Sequence, residues 1–169
     1  MNIADESISL IDSKAYLDNT EIESVSFPNV SLVGDHGFAG CTVLKTAYLP
    51  RVTLVGDHSF AGCANLEEIT LSSGVLIGSD SFEGCNNLTK INYIDIGEDS
   101  ENLVCGNIYT FKNFSSLKEI HLSKTLKETV EKAGEGAIRL GAAEATIYYD
   151  LDAMEKEESF KHELEDDNQ

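Results

Sequence analysis

The sequence contains no tryptophan, only two prolines and few cations, with 12 lysines and arginines against 30 acidic residues in 169 positions. The resulting formal net charge of −18 argues against phosphate-bearing ligands, because nucleic-acid binding depends on cations that neutralise phosphate. We therefore expect neither nucleic acid nor an anionic membrane as a partner. No run of apolar residues approaches the roughly 18 that a membrane span needs, so we expect no membrane insertion.

Patterns typical of catalysis and of metal binding are also missing. The four cysteines form no CxxC pair, which argues against a zinc site. The glycines at positions 134, 136 and 141 do not have the spacing of a nucleotide-binding loop. No nucleophile, base and orienting acid occur at a spacing that indicates hydrolysis. We therefore expect a protein that is not an enzyme and that carries no cofactor.

The most informative feature present is a short internal repeat. Residues 34–41 (GDHGFAGC) return as residues 56–63 (GDHSFAGC) and as residues 78–85 (GSDSFEGC), so the block recurs at a constant interval. A unit this short cannot bury its own apolar face, so its copies must stack into one continuous core. The repeat predicts a β-rich solenoid in which short strands form a parallel sheet.

Apolar residues recur in phase with this block. In the central copy Leu66, Ile69, Leu71 and Phe60 occupy the recurring positions, which predicts that they line the core. The glycine that begins each block is expected at a turn that needs a positive φ or a close backbone approach. The step to the last copy is longer than the others, with Phe111 in the place of Phe82, and we place the extra residues in a loop at 97–102.

These units resemble the BspA type of leucine-rich repeat, whose units are approximately LxxIxLPxxVTxIGxxAFxGCxxL. The resemblance covers about residues 20–123, and it departs from the pattern at Phe114, which stands where a fourth cysteine is expected. It implies a leucine-rich-repeat solenoid that acts as a binding or adhesive module, with no known catalysis. Proteins of this type are common at the surfaces of bacteria and some protists.

Four segments are expected along the chain: a cap segment at 1–19, the solenoid at 20–123, a helix and strand cap at 124–149 and an acidic tail at 150–169. Thr125 and Glu128 have the spacing of a capping box, and Gly134 stands at a helix end, so we predict a helix over 126–133. Residues 145–149 are predicted to form a final strand. The tail is expected to be solubilising, with a docking peptide built on Met154, Phe160 and Leu164 as the alternative.

The repeat also brings like residues into columns. Cys41, Cys63 and Cys85 should stack at about 4.8 Å, a spacing that permits a disulfide, but we expect buried free thiols. The Asp-His pairs at 35–36 and 57–58 should stack at an edge turn. A metal site is conceivable there, yet duplication of the repeat explains the coincidence, and we expect surface turns.

Strand alternation predicts the working surface, because every second side chain points away from the core. One outward column contains Ser24, Thr46, Glu68, Lys90 and Glu119, and the other contains Ser26, Tyr48, Thr70, Asn92 and His121. We predict that this face binds a protein or glycan, with Tyr48, Lys90 and His121 as anchors. The residues predicted to contact the partner are Thr46, Tyr48, Glu68, Thr70, Lys90, Asn92, Glu119 and His121.

The alternative function is structural: a spacer, or a self-associating segment of a surface adhesin or scaffold, in which this face is an ordinary solvated sheet. We expect a monomer or weak self-association. The N-terminus lacks the basic and apolar regions of a secretory signal, which predicts a cytoplasmic location for the sequence as written. A piece of a longer exported protein would instead be secreted or at the cell surface.

Overall fold

The computed structural model describes residues 1–97, 105–106 and 116–154. Short strands alternate between two parallel sheets as the chain coils. In chain order the strands are β1 (Asn2–Ala4), β2 (Leu10–Ile11), β3 (Ser24–Ser26), β4 (Leu32–Val33), β5 (Thr46–Tyr48), β6 (Leu54–Val55), β7 (Glu68–Ser72), β8 (Leu76–Ile77), β9 (Lys90–Ile94), β10 (Cys105–Gly106), β11 (Glu119–Ser123) and β12 (Thr146–Leu151). The larger sheet has the order β1-β3-β5-β7-β9-β11-β12, and the smaller has the order β10-β8-β6-β4-β2.

Pairing within the larger sheet follows the sequence repeat. Ala47 pairs with Ile69, and Ile69 pairs with Ile91, so each residue lies beside its equivalent in the next coil. Ile91 then pairs with Ile120, which is the longer step that the sequence predicts. The predicted parallel solenoid is therefore confirmed. The predicted loop beyond Gly97, together with Phe111 and Phe114, lies outside the described residues.

One apolar core runs through the stacked coils. Leu66, Ile69, Leu71 and Phe60 are all 0% exposed, as the repeat predicts. Phe60 belongs to a column of stacked rings at the turns, with centroids 5.1, 5.2 and 5.7 Å apart, formed by Tyr16, Phe38, Phe60 and Phe82. Each coil therefore completes its core with apolar surface from the coils on either side, as expected for a short repeat unit.

The glycines in the repeat serve two different purposes. Gly56 and its equivalents lie against the backbone of the preceding coil, and a Cβ on Gly56 would lie 2.7 Å from the amide nitrogen of Asp35. The predicted close approach is thus the reason for this glycine. A positive φ is instead found at the glycine before each cysteine, with φ of 73°, 76° and 77° at Gly40, Gly62 and Gly84.

The stacked coils extend into residues 1–19, which we expected to form a cap segment. Strand β1 pairs with β3, and β2 pairs with β4, in the same parallel registers as the later coils. Lys14 and Asp18 have positive φ values of 61° and 57°, one repeat before His36 and Gly40. The backbone path of the repeat is therefore present here without its glycine and cysteine. The boundaries of the four segments stay a prediction.

The C-terminal end of the stack is covered by two short helices and a strand. A 3-10 turn (Lys124–Leu126) leads into α1 (Lys127–Ala133), and α2 (Gly136–Arg139) follows. Buried Leu126, Val130 and Ile138 join the core. Strand β12 pairs in parallel with β11 and confirms the predicted final strand. Phe160 and Leu164, in the predicted tail, lie outside the described residues.

The predicted capping box is wrong. Neither helical segment has a side-chain hydrogen bond at its N-cap, and the Thr125 hydroxyl donates to Asp95 Oδ2 at 2.7 Å instead. The Thr125 hydroxyl therefore bonds to Asp95 of an earlier coil and does not form the helix cap that the local spacing had predicted. Gly134 does end α1, as predicted, with φ of 86° and ψ of 160°.

The stacked cysteines are buried free thiols, as predicted. The sulfurs of Cys41, Cys63 and Cys85 donate to backbone carbonyls of the preceding coil at 3.2, 3.1 and 3.1 Å. Contact with the Cys63 sulfur and burial raise the pKa of Cys41 far above its ordinary range. Contact with Cys41 lowers the pKa of Cys63. Contact with Cys85 and burial raise this pKa by more than that, so the net shift is upward. Both thiols are protonated near neutral pH and are poor nucleophiles.

Candidate functional site

The larger sheet presents an outward row of side chains that we call the tyrosine row. Strand register aligns Tyr48 with Thr70, Thr70 with Asn92, Asn92 with His121 and His121 with Tyr148. At about 4.8 Å a step, the row is about 19 Å long. Tyr48 is 41% exposed and Tyr148 is 40% exposed, so the row begins and ends with an accessible aromatic ring.

The middle of the row is a network of polar contacts. Asn92 Nδ2 donates to Glu68 Oε1 at 2.7 Å and to the Thr70 hydroxyl at 3.1 Å. Lys90 Nζ lies 3.5 Å from the same Glu68 oxygen. Asn92 Oδ1 is buried and has no hydrogen-bond partner within the part of the chain that the structure describes. A buried acceptor without a donor costs about 1–3 kcal/mol.

His121 is held between carboxylates near one end of the row. Its Nδ1 lies 2.8 and 2.9 Å from the two carboxylate oxygens of Asp150, and its Nε2 lies 3.3 Å from Glu119 Oε1. The imidazole stacks on the Tyr148 ring with centroids 4.6 Å apart. These contacts fix the orientation of both rings.

The predicted columns are correct in register, but the expected exposure is wrong in the middle of the row. Thr70, Asn92 and His121 are 7%, 6% and 8% exposed. Neighbouring side chains cover one another, because adjacent strands bring them about 4.8 Å apart. Thr46 and Tyr48 are exposed as predicted, and Glu68, Lys90 and Glu119 are partly exposed.

Tyr148 and Asp150 are part of this face but were not predicted. Alternation along β12 places them on the same side, and pairing with β11 sets Tyr148 opposite His121. The alternation was visible in the sequence. The register was not, because β12 does not share the period of the repeat.

A second surface feature lies on the smaller sheet. The outward residues of β2, β4, β6 and β8 are all leucine and are aligned by strand pairing. We call this the leucine stripe, formed by Leu10, Leu32, Leu54 and Leu76. Three of its members are 49%, 38% and 51% exposed (Leu10, Leu54 and Leu76). An aligned apolar row of this kind is more than scattered surface leucines and suits contact with another apolar surface.

The Asp-His turns stack as predicted, and their aspartates bond to backbone. Asp35 Oδ1 accepts from the Asp57 amide and Asp57 Oδ1 accepts from the Ser79 amide, both at 2.8 Å. The rings of His36 and His58 stack with centroids 5.0 Å apart. These two carboxylates thus tie each turn to the next coil.

No described helix is both long and apolar enough to cross a membrane.

Comparisons with known proteins agree with this architecture. A crystal structure of a T. pallidum leucine rich repeat protein superimposes with a TM-score of 0.57 at 18% identity, over 94% of this chain and 76% of that one. At this identity the likeness shows the fold alone. A leucine-rich repeat protein from Bacteroides ovatus, also 18% identical, covers 90% of this chain and 56% of that one, with a TM-score of 0.31, and supports no argument. Curated proteins give no match.

The sequence also matches a family model described as "BspA type Leucine rich repeat region", in six copies over residues 9–140. This range contains most of the chain and includes every member of the tyrosine row except Tyr148. The stacked parallel strands and the recurring core residues have the arrangement that such repeats require. The chain belongs to the BspA-type leucine-rich repeat family.

Proposed function

We propose that this chain is a non-catalytic recognition module that binds a protein or glycan along the tyrosine row. The observation that carries the proposal is a rigid row of polar side chains between two exposed tyrosines, Tyr48 and Tyr148. Tyrosine is enriched at binding hot spots because it buries a large area while its hydroxyl still forms hydrogen bonds.

The length and charge of the row indicate the kind of ligand. About 19 Å accommodates about six residues of an extended peptide, or a short oligosaccharide. Glu68, Glu119 and Asp150 supply acceptors, while Lys90 is already paired with Glu68. These acceptors favour a ligand that brings N–H or O–H donors, such as basic side chains or sugar hydroxyls.

Binding should depend on both tyrosines. The full chain is screened against peptide and oligosaccharide arrays, and the affinity of a selected ligand is measured by calorimetry. Tyr48→Ala and Tyr148→Ala should each weaken binding about tenfold, the usual loss at a hot spot. Leu17→Ala is a matched control, since Leu17 is 41% exposed but lies away from the row. Full affinity in both tyrosine variants, with unchanged circular dichroism, would contradict the proposal.

A second candidate function is self-association, and the leucine stripe is the observation that favours it. The occupant would be a second copy of the chain, because strands β2, β4, β6 and β8 carry no charge while the whole chain carries −18. Like charges elsewhere oppose close approach of two copies, so contact is least unfavourable through this uncharged sheet.

Self-association through the stripe should depend on salt and on Leu54. Sedimentation should show a fraction of dimer that increases with protein concentration and with ionic strength, since salt screens the repulsion between copies. Leu54→Lys should remove that dimer without lowering the melting temperature, and Thr46→Lys on the other sheet should not. A wild-type chain that stays monomeric at high salt would exclude this function.

A further inference from the structure

We propose that the turns after β6 and β8 bind a divalent metal ion, with Zn²⁺ preferred, between His58, Asp80 and Glu83. One nitrogen or oxygen from each side chain lies within 4.8 Å of the other two. Imidazole and carboxylate are both ordinary Zn²⁺ ligands. His58 belongs to the second of the two Asp-His pairs, and both carboxylates come from the next coil.

The repeat itself shows that the two carboxylates are departures from its pattern. Asp80 and Glu83 lie in the same turn, and both depart from the residues that earlier coils place there. At both positions this coil has an acidic residue whose carboxylate lies near His58. The residues at the Asp80 position in the earlier coils are Lys14, His36 and His58, and those at the Glu83 position are Leu17, Ala39 and Ala61.

Backbone hydrogen bonds between the two coils hold these ligands at a fixed separation. The His58 amide donates to the Ser79 carbonyl at 2.9 Å, and the Gly62 amide donates to the Glu83 carbonyl at 2.7 Å. The His36 ring stacks on His58 with an interplanar angle of 21°, which restricts rotation of the imidazole. The backbone of the stacked turns therefore already holds the three side chains near one another, which lowers the ordering cost of binding.

The charges around the site favour a cation. The carboxylates of Asp80 and Glu83 form no hydrogen bond or ion pair with any residue that the structure describes, in contrast to Asp57, which accepts from the Ser79 amide. Two neighbouring negative charges without a counter-ion repel each other. A divalent ion compensates both charges, in a chain whose net charge is already −18.

The donor set selects among metals. Zn²⁺ lies about 2.0–2.2 Å from such ligands, which sets their mutual separation at about 3.4 Å in a tetrahedron. The ligand atoms, which lie within 4.8 Å of one another, must approach by up to about 1.4 Å, and exposed Glu83 has the freedom to move. Three protein ligands leave a position for water. Ca²⁺ requires about six to eight oxygen ligands, so this set should bind it weakly.

Calorimetric titration of the chelator-treated full chain with Zn²⁺, Mg²⁺ and Ca²⁺ tests the proposal. We expect one Zn²⁺ site that raises the melting temperature, because the ion binds the folded state. His58→Asn and Glu83→Ala should each weaken Zn²⁺ binding about tenfold or more. Asparagine tolerates the left-handed φ of 55° at residue 58, and alanine is the residue that the repeat uses at positions 39 and 61.

Glu6→Ala is the matched control, since Glu6 is an exposed glutamate in the first coil, outside the turns that form the site, and it should keep the affinity of the wild-type chain. If His58→Asn fails to fold, the Zn²⁺ affinity of Glu83→Ala alone tests the proposal. The proposal is overturned if the wild-type chain binds Zn²⁺ no more tightly than Mg²⁺ and Ca²⁺. It is equally overturned if the folded variants keep wild-type affinity, which would place the ion elsewhere.

Discussion

Ile69→Asp should unfold the protein. Ile69 is 0% exposed and lies in β7, paired with Ala47 on one side and Ile91 on the other. An unpaired carboxylate at this position costs several kcal/mol, against a total stability of about 5–15 kcal/mol for a domain. Far-ultraviolet circular dichroism and thermal melting measure the loss directly.

Thr46→Asp is the matched control for this prediction. Thr46 lies on the neighbouring strand β5, but it is exposed on the outer side of the sheet. A carboxylate there stays hydrated, so we expect the free energy of unfolding to change by no more than about 0.5 kcal/mol. An Ile69→Asp chain that melted at the wild-type temperature would show that the repeat does not form the core described here.

Gly78→Ala should be the second most damaging of these substitutions. A Cβ at this position would lie 2.7 Å from both the Asp57 amide nitrogen and the Gly56 carbonyl carbon. These are backbone atoms of the preceding coil, and they can move away only if the two coils separate. Overpacking of this kind costs about 1–3 kcal/mol, and sometimes more. Chemical denaturation measures the decrease in the free energy of unfolding.

Gly136→Ala provides the comparison for Gly78→Ala. Among the described residues, no atom outside the chain neighbours of Gly136 and its own helix lies within 4 Å of a Cβ built on this glycine, which begins α2. Alanine has the higher helix propensity, so this change should be neutral or slightly stabilising. Equal stability in the two variants would contradict the close contact between coils.

The repeat made the solenoid predictable because a constant period also fixes strand register. Ile69 and Ile91 are equivalent in sequence, so they become neighbours in the sheet. The first coil was harder to recognise. Lys14 and Asp18 adopt the positive φ of the turn without the histidine and glycine that mark it in later coils. The backbone path is retained there although its sequence marker is absent.

The details of the candidate site depend on contacts between coils, which a local pattern does not contain. Alternation placed Asn92 and His121 on the outer side of the sheet but could not show that Thr70, Glu68, Tyr148 and Asp150 would cover them. The Thr125 capping box failed for the same reason. A hydroxyl that suits a local helix cap bonds instead to Asp95, from an earlier coil.

Mapping of backbone amide chemical shifts during titration with an array-selected peptide or oligosaccharide is the most direct test of recognition along the tyrosine row. The proposal predicts the largest shift changes in strands β5, β7, β9, β11 and β12, centred on the row from Tyr48 to Tyr148. Changes confined to the leucine stripe, or to the turns around His58 and Asp80, with the row unaffected, would contradict it.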